Sequence, residues 1–302
     1  MSDLSDNKKI LDIDNPKEEF DKLTDRFKLL EKRLQAVAMD YKYYINKDLG
    51  DNVIYDMRDS ISYRLYSARF HCQLLLEHHH RIEDRLMRLH KNKGAKEFFN
   101  SGYDLRMIQI QSIKETYSIF DSMMYHLVSI YDYLFRMINF AHGKTILKNP
   151  KWNIFLNKKN RRNFEYCSEE MIDKLEKIDQ DFVYPLLGHR SHLIHNEEDT
   201  GEFKLDYNLS GENFVASFFA TDLFKSNFPD IINGKENCEL TIKYSAFWLI
   251  SKTIETATEV LFELRDEMIK NKKIPHGFAA YIGDDGTIQS PSTPYWGDRN
   301  VN

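Results

Sequence analysis

Apolar residues recur along most of this chain in alternating steps of three and four, the spacing that places them on one side of an α-helix. The first such segment follows Asn15-Pro16, a cap residue before a proline at the first helical position. The second segment ends at Gly94, the third at Gly143, and a last one covers residues 240–270. The pattern predicts an all-α fold, an elongated antiparallel bundle of long helices.

Two features lie between the third helix and the last. Ser168 precedes a fourth helical segment, which we expect Pro185 to kink or interrupt, leaving a fresh helix N-terminus near Gly188. Residues 202–219 then alternate apolar and polar positions on both sides of a Ser-Gly turn. Such alternation is typical of a half-buried hairpin, so we predict a small β-hairpin insertion at 202–219.

The ends of the chain differ from its middle. Residues 1–14 are polar and acidic, and they predict a disordered lead-in. Residues 15–272 hold the periodic segments and predict a single helical bundle domain. Residues 273–302 carry Gly, Pro and Ser and predict an extended, loosely packed tail.

Composition narrows the class of protein. The 302 residues include 20 Phe and 17 Tyr but only 12 Gly and 7 Pro, which suits long helices around a sizeable core. No apolar run approaches the length of a membrane span, and the N-terminus lacks the apolar block of a signal peptide. The three cysteines are scattered, as expected for reduced thiols. We therefore expect a soluble cytoplasmic protein without membrane contact.

Positive charge is concentrated in one window although the net charge is −5. No acidic residue occurs between Asp132 and Glu165. Basic and aromatic residues interleaved in this way can meet both phosphates and bases, although a solvated basic loop would look the same. The candidate nucleic-acid-binding residues are Lys144, Lys148, Lys151, Trp152, Lys158, Lys159, Arg161 and Arg162.

The strongest chemical signal is the segment Arg190-Ser191-His192-Leu193-Ile194-His195, followed by Asn196. Arginine binds phosphate through a planar fork of donors, and histidine transfers protons near neutral pH. Five residues along a helix give a rise of about 7.5 Å and a rotation of about 140°, so the two side chains do not share one stripe. A second copy of the chain would help to close such a site.

This segment resembles the signature of the HEPN superfamily, helical bundles marked by arginine, a polar residue and, after four to six positions, histidine. Arg190, Ser191 and His195 match the three marked positions. Ser191 departs from the Asn, Asp or His that is more common in active members. The resemblance implies a homodimer with both motifs in one cleft and a metal-independent endoribonuclease without a cofactor, often in toxin–antitoxin or defence systems with an antitoxin-like partner.

The resemblance also implies roles for the individual residues. His195 would act as general acid or base on the ribose 2′-hydroxyl or the 5′-oxygen, and Arg190 would stabilise the transition-state charge. Ser191 and Asn196 would orient the pair, and His192 would be an auxiliary donor. RNA would be cut to a 2′,3′-cyclic phosphate and a 5′-hydroxyl, whereas DNA would be bound and left intact.

Two alternatives stay open at this point. One is a non-catalytic HEPN-like protein whose apolar seams serve dimerisation or partner binding. The other is a metal-binding bundle built on histidines, although three consecutive histidines point about 100° apart on a helix and cannot share one ion. The histidines concerned are His71, His78, His79, His80, His189, His192 and His195. His79, which continues an apolar seam, is expected to be a core histidine.

Overall fold

The structure is a computed structural model, and it describes residues 9–45, 52–100, 102–143, 151–155, 167–195, 201–208, 212–232, 238–272, 281–282 and 288–299. Most of these residues are helical. The helices are α1 Pro16–Asp40, α2 Val53–Asn100, α3 Gly102–Ala141, α4 Trp152–Phe155, α5 Glu169–Ile178, α6 Tyr184–His195, α7 Asp222–Asn227, α8 Ile242–Lys270 and α9 Thr293–Trp296. The strands are β1 Lys9–Leu11, β2 Phe203–Asn208, β3 Asn213–Phe218, β4 Cys238–Leu240, β5 Tyr281–Ile282 and β6 Ile288–Gln289.

The mostly helical architecture confirms the fold class predicted from the sequence. The predicted hairpin is also present, since β2 and β3 pair antiparallel with Phe203 opposite Phe218. Gly201 precedes β2 at a place where the chain leaves no room for a side chain. A β-carbon there would lie 2.0 Å from the carbonyl oxygen of Phe219, which accepts a hydrogen bond from the Tyr117 hydroxyl at 2.5 Å.

The contacts group the chain into two compact units, which are described separately. Unit 1 comprises residues 1–20, 68–125 and 188–249. Unit 2 comprises residues 21–67, 126–187 and 250–302. Each has its own core, built in unit 1 around Phe120, Phe218, Phe224 and Phe228, and in unit 2 around Leu30, Leu34, Tyr131, Phe182 and Leu261.

The helix ends follow the predicted signals. The Asn15 side chain accepts a hydrogen bond from the backbone N–H of Glu18 at 3.3 Å, as expected of an N-cap residue. Ser168 caps α5 in the same way by accepting from the backbone of Met171. Gly94, with φ +74°, interrupts the helical backbone inside α2, and Gly143, with φ +72°, follows the end of α3. Positive φ is favourable for glycine because it has no β-carbon.

The predicted interruption at Pro185 takes a different form. Residues 179–183 form a π-helical turn between α5 and α6, and the backbone N–H of Tyr184 donates to the carbonyl of Asp179, five residues earlier. One inserted residue accommodates the missing N–H of proline while the helix continues. The helical path therefore does not restart near Gly188, and the expected helix N-terminus is not formed there.

The described parts of the lead-in and of the tail make specific contacts that the sequence analysis did not predict. In unit 1, β1 of the lead-in pairs parallel with β4, with Leu11 opposite Leu240, so residues 9–11 correct the predicted disorder. In unit 2, the tail residue Trp296 is buried and donates its indole N–H to Asp40 at 2.8 Å. Ser290 donates to the same carboxylate at 2.6 Å, which corrects the prediction of a loosely packed tail.

Within the residues that the structure describes, no helix combines the length and the apolar character that a membrane span needs. The three cysteines, Cys72, Cys167 and Cys238, are buried thiols. Burial raises the pKa of Cys72 and of Cys167 to about 12, so neither thiol is a reactive thiolate at neutral pH.

Candidate functional site

Arg190 lies in the part of α6 that belongs to unit 1, and its guanidinium packs on an aromatic ring. The guanidinium carbon lies 4.8 Å from the ring centroid of Tyr125 on α3, a cation–π contact. Tyr125 is itself 44% exposed, so the stacked pair faces solvent on one side. The buried Nε of Arg190 has no hydrogen-bond partner, and within the described part of the chain no carboxylate pairs with this arginine.

The neighbouring His189 fixes this segment of α6 in the core of unit 1. Its ring is buried and makes edge contacts with Phe224 at 5.3 Å and with Phe228 at 6.1 Å between centroids. The amide nitrogen of Asn227 lies 3.1 Å from its Nδ1. Since consecutive helical residues point about 100° apart, a buried His189 turns Arg190 towards the rim of the core. His189 thus packs in the core of unit 1.

The remaining residues of the predicted catalytic segment are described only in part. Ser191 is exposed and His192 is half-buried. His195 is the last residue of α6, but its side chain lies outside the described residues, as does the whole of Asn196. The structure therefore places Arg190, Ser191 and His192 on one helical turn and leaves the contribution of His195 as a prediction.

Of the predicted nucleic-acid-binding residues, the structure describes Lys151 and Trp152. Trp152 is fully buried in unit 2, with its indole N–H donated to Asp179 at 2.9 Å and its ring 5.4 Å from Tyr131. A ring packed in this way cannot stack on a base, so its predicted role in nucleic-acid binding was wrong. Lys151 is exposed. Lys144, Lys148, Lys158, Lys159, Arg161 and Arg162 lie outside the described residues.

The consecutive histidines of α2 differ in burial, as their helical spacing predicts. His78 and His79 are buried in unit 1, whereas the side chain of His80 is 76% exposed. The Nδ1–H of His79 donates to the Leu75 carbonyl at 2.8 Å, and the ring packs edge-on against Phe218, which confirms it as a core histidine. Burial lowers the pKa of His79 to about 4. Among the described residues, no three His, Cys, Asp or Glu side chains come together as metal ligands.

Unit 2 contains a cavity of about 510 Å³ whose charged lining residues largely neutralise one another. Glu263 accepts from Lys174 at 2.8 Å and from Arg299 at 2.6 Å. Lys252 pairs with Glu255 at 2.9 Å. Because these charges are already paired, the cavity offers a ligand less than the stacked arginine of α6 does.

Tyr125 is the residue of the candidate site that the sequence did not indicate. Its neighbour Met124 belongs to the apolar seam of α3 and is fully buried. An aromatic residue next to a seam, rather than in it, is a usable signal because an exposed large ring is less common than a buried one. Nothing in the sequence, however, indicates that its partner would be Arg190, 65 positions further on.

Comparison of the chain with protein-family models, with curated proteins and with solved structures found no match in any of the three. The interpretation of the site accordingly depends on its own geometry and on the short resemblance in α6.

Proposed function

We propose that this protein binds RNA through Arg190 and cleaves it as a metal-independent endoribonuclease of the HEPN type. The observation that carries the proposal is the set of contacts made by the Arg190 guanidinium. Its guanidinium lies on the exposed ring of Tyr125 with an unpaired Nε and with no carboxylate partner among the described residues. An arginine without a carboxylate partner keeps its terminal N–H groups available for a phosphate.

The aromatic support favours this function because it orients the guanidinium without neutralising it. A carboxylate partner would compete with phosphate for the same donors, whereas a tyrosine ring contacts only the flat face of the arginine. The ring also reduces the side-chain entropy that is lost when a ligand binds. The guanidinium of Arg190 is therefore already oriented before an anion binds.

His195 supplies the proton chemistry in the proposed reaction. It accepts the proton of the ribose 2′-hydroxyl, and the 2′-oxygen attacks the adjacent phosphorus. Arg190 stabilises the additional negative charge on the phosphorus-bound oxygens. The bond to the 5′-oxygen then breaks, and this oxygen leaves as a hydroxyl after it takes up a proton. The products are a 2′,3′-cyclic phosphate and a 5′-hydroxyl.

The proposal includes a homodimer. Arg190 and His195 are five residues apart on α6, about 7.5 Å along the axis and about 140° around it. Two copies related by a twofold axis allow the arginine of one and the histidine of the other to reach the same phosphodiester. An antitoxin-like protein partner fits a nuclease whose cleft has to be blocked in the cell, and it belongs to the same proposal.

The test is cleavage of a fluorescently labelled single-stranded RNA in excess EDTA. The wild-type protein should cut it and leave a cyclic phosphate, which is identified by its resistance to phosphatase until acid opens the ring. His195→Ala should lower the rate by about 10²- to 10⁴-fold, the usual contribution of a general acid or base. His80→Ala, which removes an exposed histidine elsewhere on α2, is the matched control and should retain full activity.

Three outcomes separate this proposal from its alternatives. Equal cleavage by the wild type and by His195→Ala would assign the activity to a contaminant and reject the proposed chemistry. RNA binding without cleavage would support a non-catalytic HEPN-like protein. A wild-type protein that neither binds nor cuts RNA would reject the whole proposal.

A further inference from the structure

The hairpin of unit 1 has one strand edge that the described residues leave open. Within those residues, β2 Phe203–Asn208 has β3 as its one strand neighbour. The other side of β3 is covered, because the backbone N–H of Ala216 donates to the carboxylate of Glu83 on α2 at 3.1 Å. The outer edge of β2 is therefore the place where a further strand can join this sheet.

The hydrogen-bond pattern of the hairpin decides which backbone groups of β2 point to this edge. In an antiparallel pair, residues that exchange hydrogen bonds alternate with residues that do not. Ala216, whose N–H is used by α2, does not donate to its partner Leu205. The N–H of Phe219 donates to the carbonyl of Glu202 at 2.9 Å, which sets the same alternation. The residues of β2 whose N–H and C=O groups point away from β3 are consequently Phe203, Leu205 and Tyr207.

The inner face of the hairpin is buried on β3 but only half-buried on β2. Phe214 and Phe218 of β3 are at most 2% exposed, whereas the three inward-facing residues of β2 are half-buried. A cavity of about 250 Å³ lies beside them, smaller than the roughly 300–1,000 Å³ of a small-molecule site. Apolar side chains of an added strand suit such a space. Its lining residues are Leu86 of α2, Leu105, Ile108 and Gln109 of α3, and Phe203 and Leu205 of β2.

The outer face of β2 carries one charge of each sign. The side chains of Lys204 and Asp206 are 54% and 55% exposed, and Nζ lies 3.7 Å from Oδ2. Two residues apart in a strand, they share one face. A lone lysine on an edge opposes the addition of a second copy, because like charges repel. The aspartate two positions further on allows the edge to complement itself.

A second copy of β2 complements this edge in one antiparallel register. Pairing about a twofold axis at Leu205 places Phe203 opposite Tyr207 of the second copy, so every outward backbone group finds a partner. The same register places Lys204 opposite Asp206 of the second copy on both sides of the axis. An axis at Lys204 or at Asp206 would instead set like charges opposite each other. The register with the most complete backbone pairing is thus also the one that pairs the charges.

We propose that two copies of this protein associate through β2, edge to edge and antiparallel about Leu205, so that their hairpins form one four-stranded sheet. In this arrangement Leu205 and Tyr207 of each copy lie beside the cavity of the other. The inference does not rest on the proposed nuclease, since it requires neither Arg190 nor His195. A contact through β2 and a contact through α6 use different elements, and both together would build an assembly larger than a dimer.

The experiment is sedimentation velocity of the full chain over a concentration series, in low-salt buffer because salt screens exposed charges. The wild type should self-associate. Lys204→Asp and Asp206→Lys each set like charges opposite each other and should each raise the dissociation constant by about tenfold. An equimolar mixture of the two variants should associate like the wild type, because opposite charges then face each other again. The chain that carries both substitutions should do the same.

Arg88→Asp is the matched control. Arg88 lies on α2 in unit 1, about 200° around the helix from the cavity residue Leu86, and its side chain is 80% exposed. The substitution changes the net charge by as much as Lys204→Asp does, and it should leave self-association unchanged. An equal loss in Arg88→Asp would assign the effect to net charge and overturn the inference.

The other outcomes separate this inference from the proposed function. A wild type that stays monomeric, or single variants that associate like the wild type, would leave the edge of β2 to a segment of another protein and overturn the inference. Weakened association that the mixture does not restore would reject the register about Leu205. RNA cleavage in EDTA is measured on the same proteins. If the mixture restores association, the inference holds whether or not RNA is cut.

Discussion

Arg33 and Arg190 show two opposite uses of an arginine in the same protein. In unit 2, Arg33 is 1% exposed and donates to the backbone carbonyls of Trp296 at 3.1 Å and Asp298 at 2.7 Å. Its guanidinium also lies 5.2 Å from the ring centroid of Phe262. In unit 1, Arg190 shares only the aromatic support. Arg33 thus uses its donors within the fold, whereas the proposed function has Arg190 use its donors to bind a phosphate.

The comparison shows why an unpaired nitrogen alone does not identify a binding site. His79 also has a buried nitrogen, Nε2, without a hydrogen-bond partner, yet its side chain is enclosed in the core of unit 1. Arg190 differs because it rests on a ring that solvent reaches. The combination of an unsatisfied donor and an accessible support favours a binding role, and each feature alone favours packing.

The largest expected effect comes from making the same substitution at both arginines. Arg33→Met leaves one buried and one partly buried carbonyl of the tail without their donor, which should lower the free energy of unfolding by about 2–4 kcal/mol. Arg190→Met loses only a partly exposed cation–π contact and should cost less than about 1 kcal/mol, while RNA affinity falls. Urea denaturation followed by circular dichroism measures both. Equal destabilisation would contradict the division between a structural and a ligand-binding arginine.

The second largest expected effect is a pH dependence of the folding stability that is due to His79. Its pKa in the folded protein is about 4, compared with 6.5 in the unfolded chain. Between these two values the unfolded state binds a proton that the folded state does not, so stability falls as the pH drops from about 6.5 to about 4. With about 1.4 kcal/mol per pKa unit, the loss approaches about 3 kcal/mol.

His79→Phe removes this titration and can be compared with His80→Phe on the exposed side of α2. Urea denaturation at pH 7 and at pH 4.5 should show a smaller difference for His79→Phe than for the wild type. His80→Phe should leave the wild-type difference unchanged, because the His80 side chain is exposed and lies outside the core. A similar pH dependence for wild type and His79→Phe would show that burial does not keep this imidazole neutral.

Local signals along the chain predicted much of the fold. The caps at Asn15 and Ser168 and the breaks at Gly94 and Gly143 could be predicted because each depends on a residue and its immediate neighbours. The burial of Trp152 could not, since it depends on Asp179 and other residues distant in sequence. The composition of the segment around Trp152 indicated a basic segment that stacks on bases, whereas tertiary packing buries the ring of Trp152.

The chemistry of the candidate site stays a prediction from the sequence, whereas the contact between Arg190 and Tyr125 could not be predicted from it. The order of Arg190, Ser191 and His195 is a local pattern, so the sequence alone indicates a phosphate-directed segment. The contact with Tyr125 joins two helices. Such contacts depend on which helices pack together. Apolar spacing predicts the buried side of each helix but not the helix that packs against it.

The smallest expected effect tests whether Tyr125 prepares Arg190. Tyr125→Leu removes the ring and should change the free energy of unfolding by only about 0.5–1 kcal/mol, the range of an exposed cation–π contact. RNA affinity should nevertheless fall by about 2- to 5-fold, since the same energy was spent on orienting the guanidinium. Tyr125→Phe keeps the ring and should retain affinity, as anisotropy titrations can determine. If Tyr125→Leu binds RNA as well as the wild type, the stack is only a packing contact and does not prepare Arg190 for a ligand.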